Sequence, residues 1–240
     1  MRLDRYLADR GYYKSRERAA RAIESGCVRV NGHVILKASF SIEESAQIDC
    51  SEDPVPYVSR GGLKLLGALE HFKINTKELR CLDIGSSTGG FTHVLLERGA
   101  REVTCVDVGH GQLDPILRED PRVHVYEGTD ARTFRPSVCY DFICMDVSFI
   151  SVTQMLETVC SLIKPDGNII ILVKPQFELS RSALNKKGIV RNKDLGLRKV
   201  KEIVSFYCEK GNLKLGGLME SPIQGGDGNI EYCAWFFPLV

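Results

Sequence analysis

Two lysines and two carboxylates stand in unusual company in this chain. Lys174 directly follows an uncharged apolar run, 168–173, so its stem is buried and its ammonium sits at the end of a strand. Asp146 closes a second apolar run, in Met145-Asp-Val-Ser148-Phe149. Lys64, in Arg60-Gly-Gly-Leu-Lys64, and Glu231, in Asp227-Gly-Asn-Ile-Glu231, are ionisable groups among glycine and apolar neighbours. Charged groups so placed are candidates for moving a proton or holding a reacting oxygen, because burial and neighbouring charge shift their ionisation. Taken singly, Lys64 reads as a solvated helix residue, whereas Lys174 reads as functional.

A second constellation is the glycine turn Asp83-Ile-Gly85-Ser86-Ser87-Thr88-Gly89-Gly90-Phe91, a strand end running into a helix. Glycines there let the backbone approach a ligand at the carboxyl end of a parallel strand. A dinucleotide wants G-x-G-x-x-G, but the spacing here is G-x-x-x-G-G, and no Walker-type Gly-Lys-Ser/Thr follows Gly89. Asp83 repels a phosphate and suits an ammonium; Asp107 and Asp130 end the next two strands, where ribose hydroxyls find acceptors. Such acids at successive strand ends favour a cationic, ribose-bearing cofactor, and S-adenosylmethionine fits. Both Asp83 and Asp130 also read as simple helix caps. The turn matches the G-x-S-x-G nucleophile elbow, but a hydrolase of that fold needs a late histidine and none follows His124.

The elements that must carry these residues alternate. Strands are expected at 80–84, 103–108, 123–126, 142–146 and 168–173, and helices at 63–72, 89–98, 153–163 and 195–207. That alternation predicts an α/β fold with a mainly parallel sheet covered on both faces. The segments 214–220 and 230–237 read as an antiparallel hairpin at the sheet edge. Residues 1–60 have a different texture, with two short helices stopped by Gly11 and Gly26 and then a hairpin turning at Asn31-Gly32. This predicts a small α+β unit, with Pro54 and Pro56 marking a linker near 50–58 and a second domain over 61–240.

With these residues in place, the chain resembles the TlyA-type, FtsJ-like methyltransferases, including proteins labelled hemolysins. The likeness rests on Arg2-Leu-Asp-Arg-Tyr-Leu, Ser15-Arg16 and Gly26-Cys-Val-Arg-Val-Asn31-Gly32, which match an RNA-binding module found also in a small-subunit ribosomal protein. It rests equally on Val58-Ser-Arg-Gly-Gly-Leu-Lys64, the Asp83 turn, Asp146-Val-Ser-Phe-Ile-Ser, Val173-Lys174-Pro-Gln-Phe-Glu and Gly228-Asn-Ile-Glu231. The resemblance implies a Rossmann-like S-adenosylmethionine fold and ribose 2′-O-methylation of ribosomal RNA, at cytidine. It implies that Lys64, Asp146, Lys174 and Glu231 form the catalytic set. The cofactor is then expected on Asp83, Gly85, Ser86, Ser87, Thr88, Gly89, Gly90, Phe91, Asp107, Asp130 and Asp146. FtsJ itself has a proline where this chain has Thr88. A ribose hydroxyl is a weak nucleophile that must lose its proton as it attacks. Lys174 serves either as that base or as a fixed cation steering the oxygen, while Asp146 and Glu231 orient the lysines.

Charge agrees with an RNA partner. The 240 residues carry a net charge of only +1, yet residues 1–40 hold nine basic and four acidic side chains, whereas 41–56 hold five acids and no base. Arg2, Arg5, Lys14, Arg16, Arg18, Arg21, Arg29 and Arg60 are the expected phosphate contacts on ribosomal RNA or a ribosomal subunit. The bland reading of the helical arginines is a solvated face. Nine cysteines with no C-x-x-C pair read as reduced and cytosolic, and no metal is expected. No signal-like or membrane-spanning stretch is seen, which argues against the rival reading as a membrane-active cytolysin. A catalytically silent RNA-binding protein is the other rival. Nothing in the pattern bears on oligomeric state.

Overall fold

The computed structural model describes residues 1–13, 15–24, 26–43, 45–50 and 57–239, without the side chains of Glu17 and Arg21. Lys14, Pro54 and Pro56 lie outside the described residues. The chain divides into two units, Met1–Pro56 and Tyr57–Val240.

In the first unit, helices α1 (Leu3–Asp9) and α2 (Arg16–Glu24) bury Leu3, Leu7, Ala19, Ala22 and Ile23 against a small antiparallel sheet. That sheet has the order β2-β1-β3, from β1 (Val28–Val30), β2 (His33–Val34) and β3 (Ile48–Cys50). Asn31 and Gly32 have φ of 50° and 80°, the positive values a tight two-residue hairpin demands. The strand β3 was not expected: the acidic stretch before the linker contributes Ile42 to the core and pairs Ile48 with Val30.

The second unit is a seven-stranded sheet, β6-β5-β4-β7-β8-β10-β9. In chain order its elements are α3 (Gly61–Phe72), β4 (Arg80–Ile84), α4 (Gly90–Glu97), β5 (Glu102–Asp107), α5 (Pro115–Arg118), β6 (Val123–Glu127), β7 (Tyr140–Met145), α6 (Leu156–Leu162), β8 (Ile163–Val173), α7 (Pro175–Glu178), α8 (Lys193–Gly211), β9 (Leu213–Glu220) and β10 (Tyr232–Pro238). Strands β4 to β8 run parallel, and β10 runs antiparallel to both β8 and β9. The edge hairpin is therefore present, with β9 outermost and the reversed strand one place in. Alternate residues of the central strands, such as Leu82, Ile84, Ile143, Met145, Ile169 and Ile171, pack with Val159, Val200, Ile203 and Tyr207 of α6 and α8. The intervening residues face the other side, which is why these strands read as continuous apolar runs.

The reversal of β10 is what positions the site. Ile84, Met145 and Val173 are the last residues of β4, β7 and β8, so the parallel strands deliver Gly85, Asp146 and Lys174 to one edge of the sheet. Tyr232, the first residue of β10, pairs with Val173, so the reversed strand brings Glu231 in beside Lys174. Helix α3 starts with a close approach to α4: a Cβ on Gly62 would lie 2.9 Å from the Gly90 carbonyl oxygen. Only glycine permits that packing, which sets Lys64 over the sheet's mouth.

In the first unit, Asp4 is buried and accepts from Arg2 Nη2, Arg16 Nε and the Arg5 amide, each at 2.9 Å. The Arg2 guanidinium, aided by Arg16, holds its carboxyl well below the usual carboxylate range against the opposing effect of burial. A carboxyl lowered on folding stabilises the native state above its unfolded pKa of about 3.9, and that gain disappears as pH falls towards the native value. Asp4→Asn is therefore expected to weaken hydrogen-exchange protection of α1 and α2 by about 1–3 kcal/mol at pH 7. The gap should close below about pH 4; a gap independent of pH contradicts this assignment.

Candidate active site

At the mouth of the sheet lie two ion pairs, one buried and one reaching the surface through the half-buried Asp146. Lys64 Nζ is 2.6 Å from Glu231 Oε2, and Lys174 Nζ is 2.5 Å from Asp146 Oδ1. Lys64, Lys174 and Glu231 are 8%, 7% and 3% exposed. Lys174 Nζ also donates to Ser148 Oγ at 2.8 Å, and Gln176 Nε2 donates to Glu231 Oε1 at 3.2 Å. A Cβ on Gly225 would sit 2.4 Å from Glu231 Oε1, so a glycine is required where that loop crosses the carboxylate. The Cys233 thiol below is pushed up to about 12 by burial, with the charges of Asp146 and Glu231 raising it and that of Lys64 lowering it. Three of the four predicted catalytic residues thus act on one buried thiol, and the fourth pairs with one of them.

Beside these pairs opens a cleft of about 450 Å³, lined among others by Gly85, Ser87, Asp107, Asp130, Asp146 and Phe149. Its volume is in the range of small-molecule sites. Asp107 anchors the glycine turn: its carboxylate accepts the Ser87 amide at 2.8 Å and the Gly109 amide at 2.7 Å. Ser87 has φ of 47° and Gly85 of 80°, and a Cβ on Gly85 would meet the Asp146 carbonyl oxygen at 2.6 Å. The turn is therefore held open as a bare-backbone wall. Asp130 lines the cleft but also caps a 3-10 turn through the Arg132 amide and pairs with Arg132 at 2.6 Å. The cap reading therefore holds for Asp130, which also lines the cleft.

The remaining predicted cofactor residues serve differently. Asp83 is fully buried and does not line the cleft; its Oδ2 accepts from the Thr92 amide at 3.0 Å and hydroxyl at 2.7 Å, capping α4, while Oδ1 has no partner. Burial pushes its carboxyl up to about 7, with the Asp146 charge adding to the rise and the Thr92 hydrogen bonds opposing it. Ser86 and Gly89 close the turn through a backbone bond of 2.7 Å. The Thr88 carbonyl accepts the Asp114 amide, Gly90 abuts Gly62, and Phe91 is core. None of these lines the cleft.

The basic residues are accounted for as follows. Arg2 and Arg16 share Asp4, Arg5 faces Asp9 at 3.4 Å, and Arg29 donates to the Gly32 carbonyl. Arg18 is half-buried, and Arg60 immediately precedes α3. The side chain of Arg21 lies outside the described residues.

Residues 57–237 match the FtsJ-like methyltransferase family model, and residues 1–48 match the S4 domain. The chain belongs to the FtsJ-like methyltransferase family. A Bacillus subtilis relative, YqxC, provisionally named as an rRNA methyltransferase, is 43% identical over 235 residues, covering 96% of this chain and 83% of that protein. The 16S/23S rRNA (cytidine-2′-O)-methyltransferase TlyA of Mycobacterium tuberculosis is 40% identical over 238 residues, covering 98% and 88%. A solved Streptococcus thermophilus structure, provisionally named as a hemolysin, is 36% identical with a TM-score of 0.77, covering 99% of this chain and 90% of its own. As a member of a methyltransferase family the chain is expected to depend on S-adenosylmethionine. No helix among the described residues is long and apolar enough to cross a membrane.

Three residues of this FtsJ-like methyltransferase escape a reading of the sequence. Ser148 and Gln176 touch the ion pairs, and both sit in the strand-end motifs already singled out, so proximity to Asp146 and Lys174 was the available signal. Phe149 shares the Asp146 motif but its type gave no sign of its setting: it is 91% exposed at the cleft, has φ of 65°, and faces the Phe177 ring at 5.0 Å. A bulky residue in the left-handed region costs about 1–3 kcal/mol and concentrates at functional sites.

A carboxyl raised on folding keeps its proton in the native state while the unfolded chain has lost it. Asp83 therefore costs stability increasingly from about pH 4 up to about 7 and fully above that. Asp83→Asn, whose amide oxygen still accepts from Thr92, is expected to gain on wild type across that interval by about 1–4 kcal/mol in urea unfolding. Parallel pH profiles for the two proteins contradict it.

Proposed function

We propose that this chain is an S-adenosylmethionine-dependent ribosomal RNA methyltransferase acting on a ribose 2′-hydroxyl, at cytidine. The observation that carries the reading is the pair of ion pairs, Lys174–Asp146 and Lys64–Glu231, set beside a cleft lined by acids. The relatives named for rRNA and cytidine methylation support the substrate, and the S4 match supports an RNA partner.

The cleft fits the cofactor. Asp107, Asp130 and Asp146 offer acceptors to ribose hydroxyls and a cationic centre, and Ile84, Val106, Val108 and Met155 offer an apolar lining for an adenine ring. The Gly85 wall admits a ligand close to the backbone. When bound, S-adenosylmethionine supplies an electrophilic methyl group.

The chain's own residues prepare the hydroxyl. Lys174 Nζ donates to Ser148 and faces Asp146, and it holds the 2′-oxygen at the cleft's edge. Set between Ser148 and Asp146, the Lys174 amine is placed either to take the hydroxyl proton as the oxygen attacks or to stand as a fixed cation that steers the oxygen. Lys64 and Glu231 hold each other, and through Gln176 they fix the wall on the far side. Phe149, exposed at the rim, offers a ring on which the target base stacks. Keeping water out and the reacting atoms aligned supplies much of the acceleration.

Lys174→Ala is expected to lower methyl transfer to ribosomal RNA by about 10²–10⁴-fold at saturating substrates. Affinity for S-adenosylmethionine and for RNA should stay within about threefold of wild type, since phosphate contacts supply most RNA affinity. A variant with wild-type turnover removes Lys174 from the chemistry. Loss of folding in the same variant would be met by Lys174→Met, which keeps the stem and should be equally inactive.

A further inference from the structure

The connection between α7 and α8, residues 179–192, leaves the sheet directly after the segment that carries Lys174. It contains Arg181, Lys186, Lys187 and Arg191 and no acid. It is built as a hairpin. Leu184 bridges to Val190, the Asn185 amide donates to the Ile189 carbonyl at 2.8 Å, and Gly188 turns with φ of 80°. Asn185 Oδ1 accepts the amides of Lys187 at 2.8 Å and Ile189 at 3.0 Å, which leaves Lys186 and Lys187 exposed at the tip. Arg191 braces the base by donating to the Leu184 carbonyl at 2.9 Å.

Two features set this hairpin apart. Some basic residues of the same unit are paired with carboxylates, as in Arg98–Glu70, Arg118–Glu127, Arg122–Asp120 and Lys164–Asp141, whereas this segment gathers four basic side chains with no acid of its own. Among the described residues no carboxylate pairs with Arg181, Lys186, Lys187 or Arg191. The hairpin is also fastened to the strand that delivers Glu231. Asn229, 1% exposed, accepts the Val190 amide at 3.0 Å and donates to the Gly188 carbonyl at 3.1 Å. An ordered cationic tip without counter-charge, tied two residues from a site carboxylate, calls for an anionic partner that must be held in register with the site. Exposed lysine ammoniums at the end of a hairpin meet phosphate oxygens whatever the base sequence, so the chemistry is that of a phosphate backbone.

We infer that the 179–192 hairpin is a phosphate clamp on the catalytic unit, gripping the RNA backbone next to the target ribose. Lys186 and Lys187 take the phosphates, and Asn229 ties the clamp to Glu231. This rests on the reading of the site as an RNA methyltransferase.

The test uses the full chain and the double variant Lys186→Ala, Lys187→Ala. Binding to ribosomal RNA is measured across a salt series, S-adenosylmethionine affinity by calorimetry, and methyl transfer at varied RNA. The expected result is a salt slope shallower by about 1–2 and a KM for RNA raised about tenfold, with kcat and cofactor affinity unchanged. Lys186→Arg with Lys187→Arg should restore both. A variant with the wild-type salt slope and KM overturns the clamp, as does one that loses binding to anionic lipid vesicles while keeping that to RNA. A wild-type protein that transfers no methyl group to ribosomal RNA defeats the functional reading instead, and the salt slope then still decides about the hairpin.

Discussion

Burying three charges in one place, with a half-buried fourth at Asp146, is the constraint on which the second unit depends. An isolated ammonium or carboxylate at the depth of Lys64, Lys174 or Glu231 costs several kcal/mol, and only mutual pairing with further hydrogen bonds offsets it. Removing one partner of a pair leaves the charge of the other uncompensated. Such an arrangement is weak as a source of stability. Its value lies in holding an ammonium at a fixed point beside a cleft lined by acids.

Topology supplies the pairing. A purely parallel sheet would place acids and lysines only on strand ends that all point the same way. The reversed strand β10 lets a residue at the start of a strand reach the same mouth, so Glu231 meets Lys64 from above and neighbours Lys174 through the Tyr232–Val173 register. The glycines at 62, 85, 90 and 225 then allow backbone and charged groups closer than any side chain would tolerate. Glycine spacing here serves packing as much as ligand binding, which explains why much of the Asp83 turn faces the core.

The alternation of strands and helices was legible because each central strand is covered on both faces and reads as a short apolar run. Asp146, Lys174 and Glu231 were legible because each ends, follows or precedes an apolar run, whereas Lys64, which taken singly reads as a solvated helix residue, is buried because Glu231 pairs with it at 2.6 Å. What failed to show has local causes. Strand β8 begins at Ile163, well before the apolar run at 168, because Pro165 and Gly167 sit where its pairing with β7 shifts register. Strand β3 hides in an acidic stretch, since a three-residue strand needs only a partner and Ile48 to enter a core. Asp83 looked like a ligand residue and is foremost a buried cap, a distinction of side-chain direction that spacing does not carry. The left-handed backbone of Phe149 follows from the tertiary setting of its loop.

The central claim is that this mouth methylates a ribose in ribosomal RNA. Mapping 2′-O-methylation across all ribosomal RNAs from cells with and without the gene tests it most directly. The account predicts the disappearance of a mark at a cytidine ribose, restored by wild-type protein and not by a chain lacking the Lys174 amine. A map identical in both strains would contradict it.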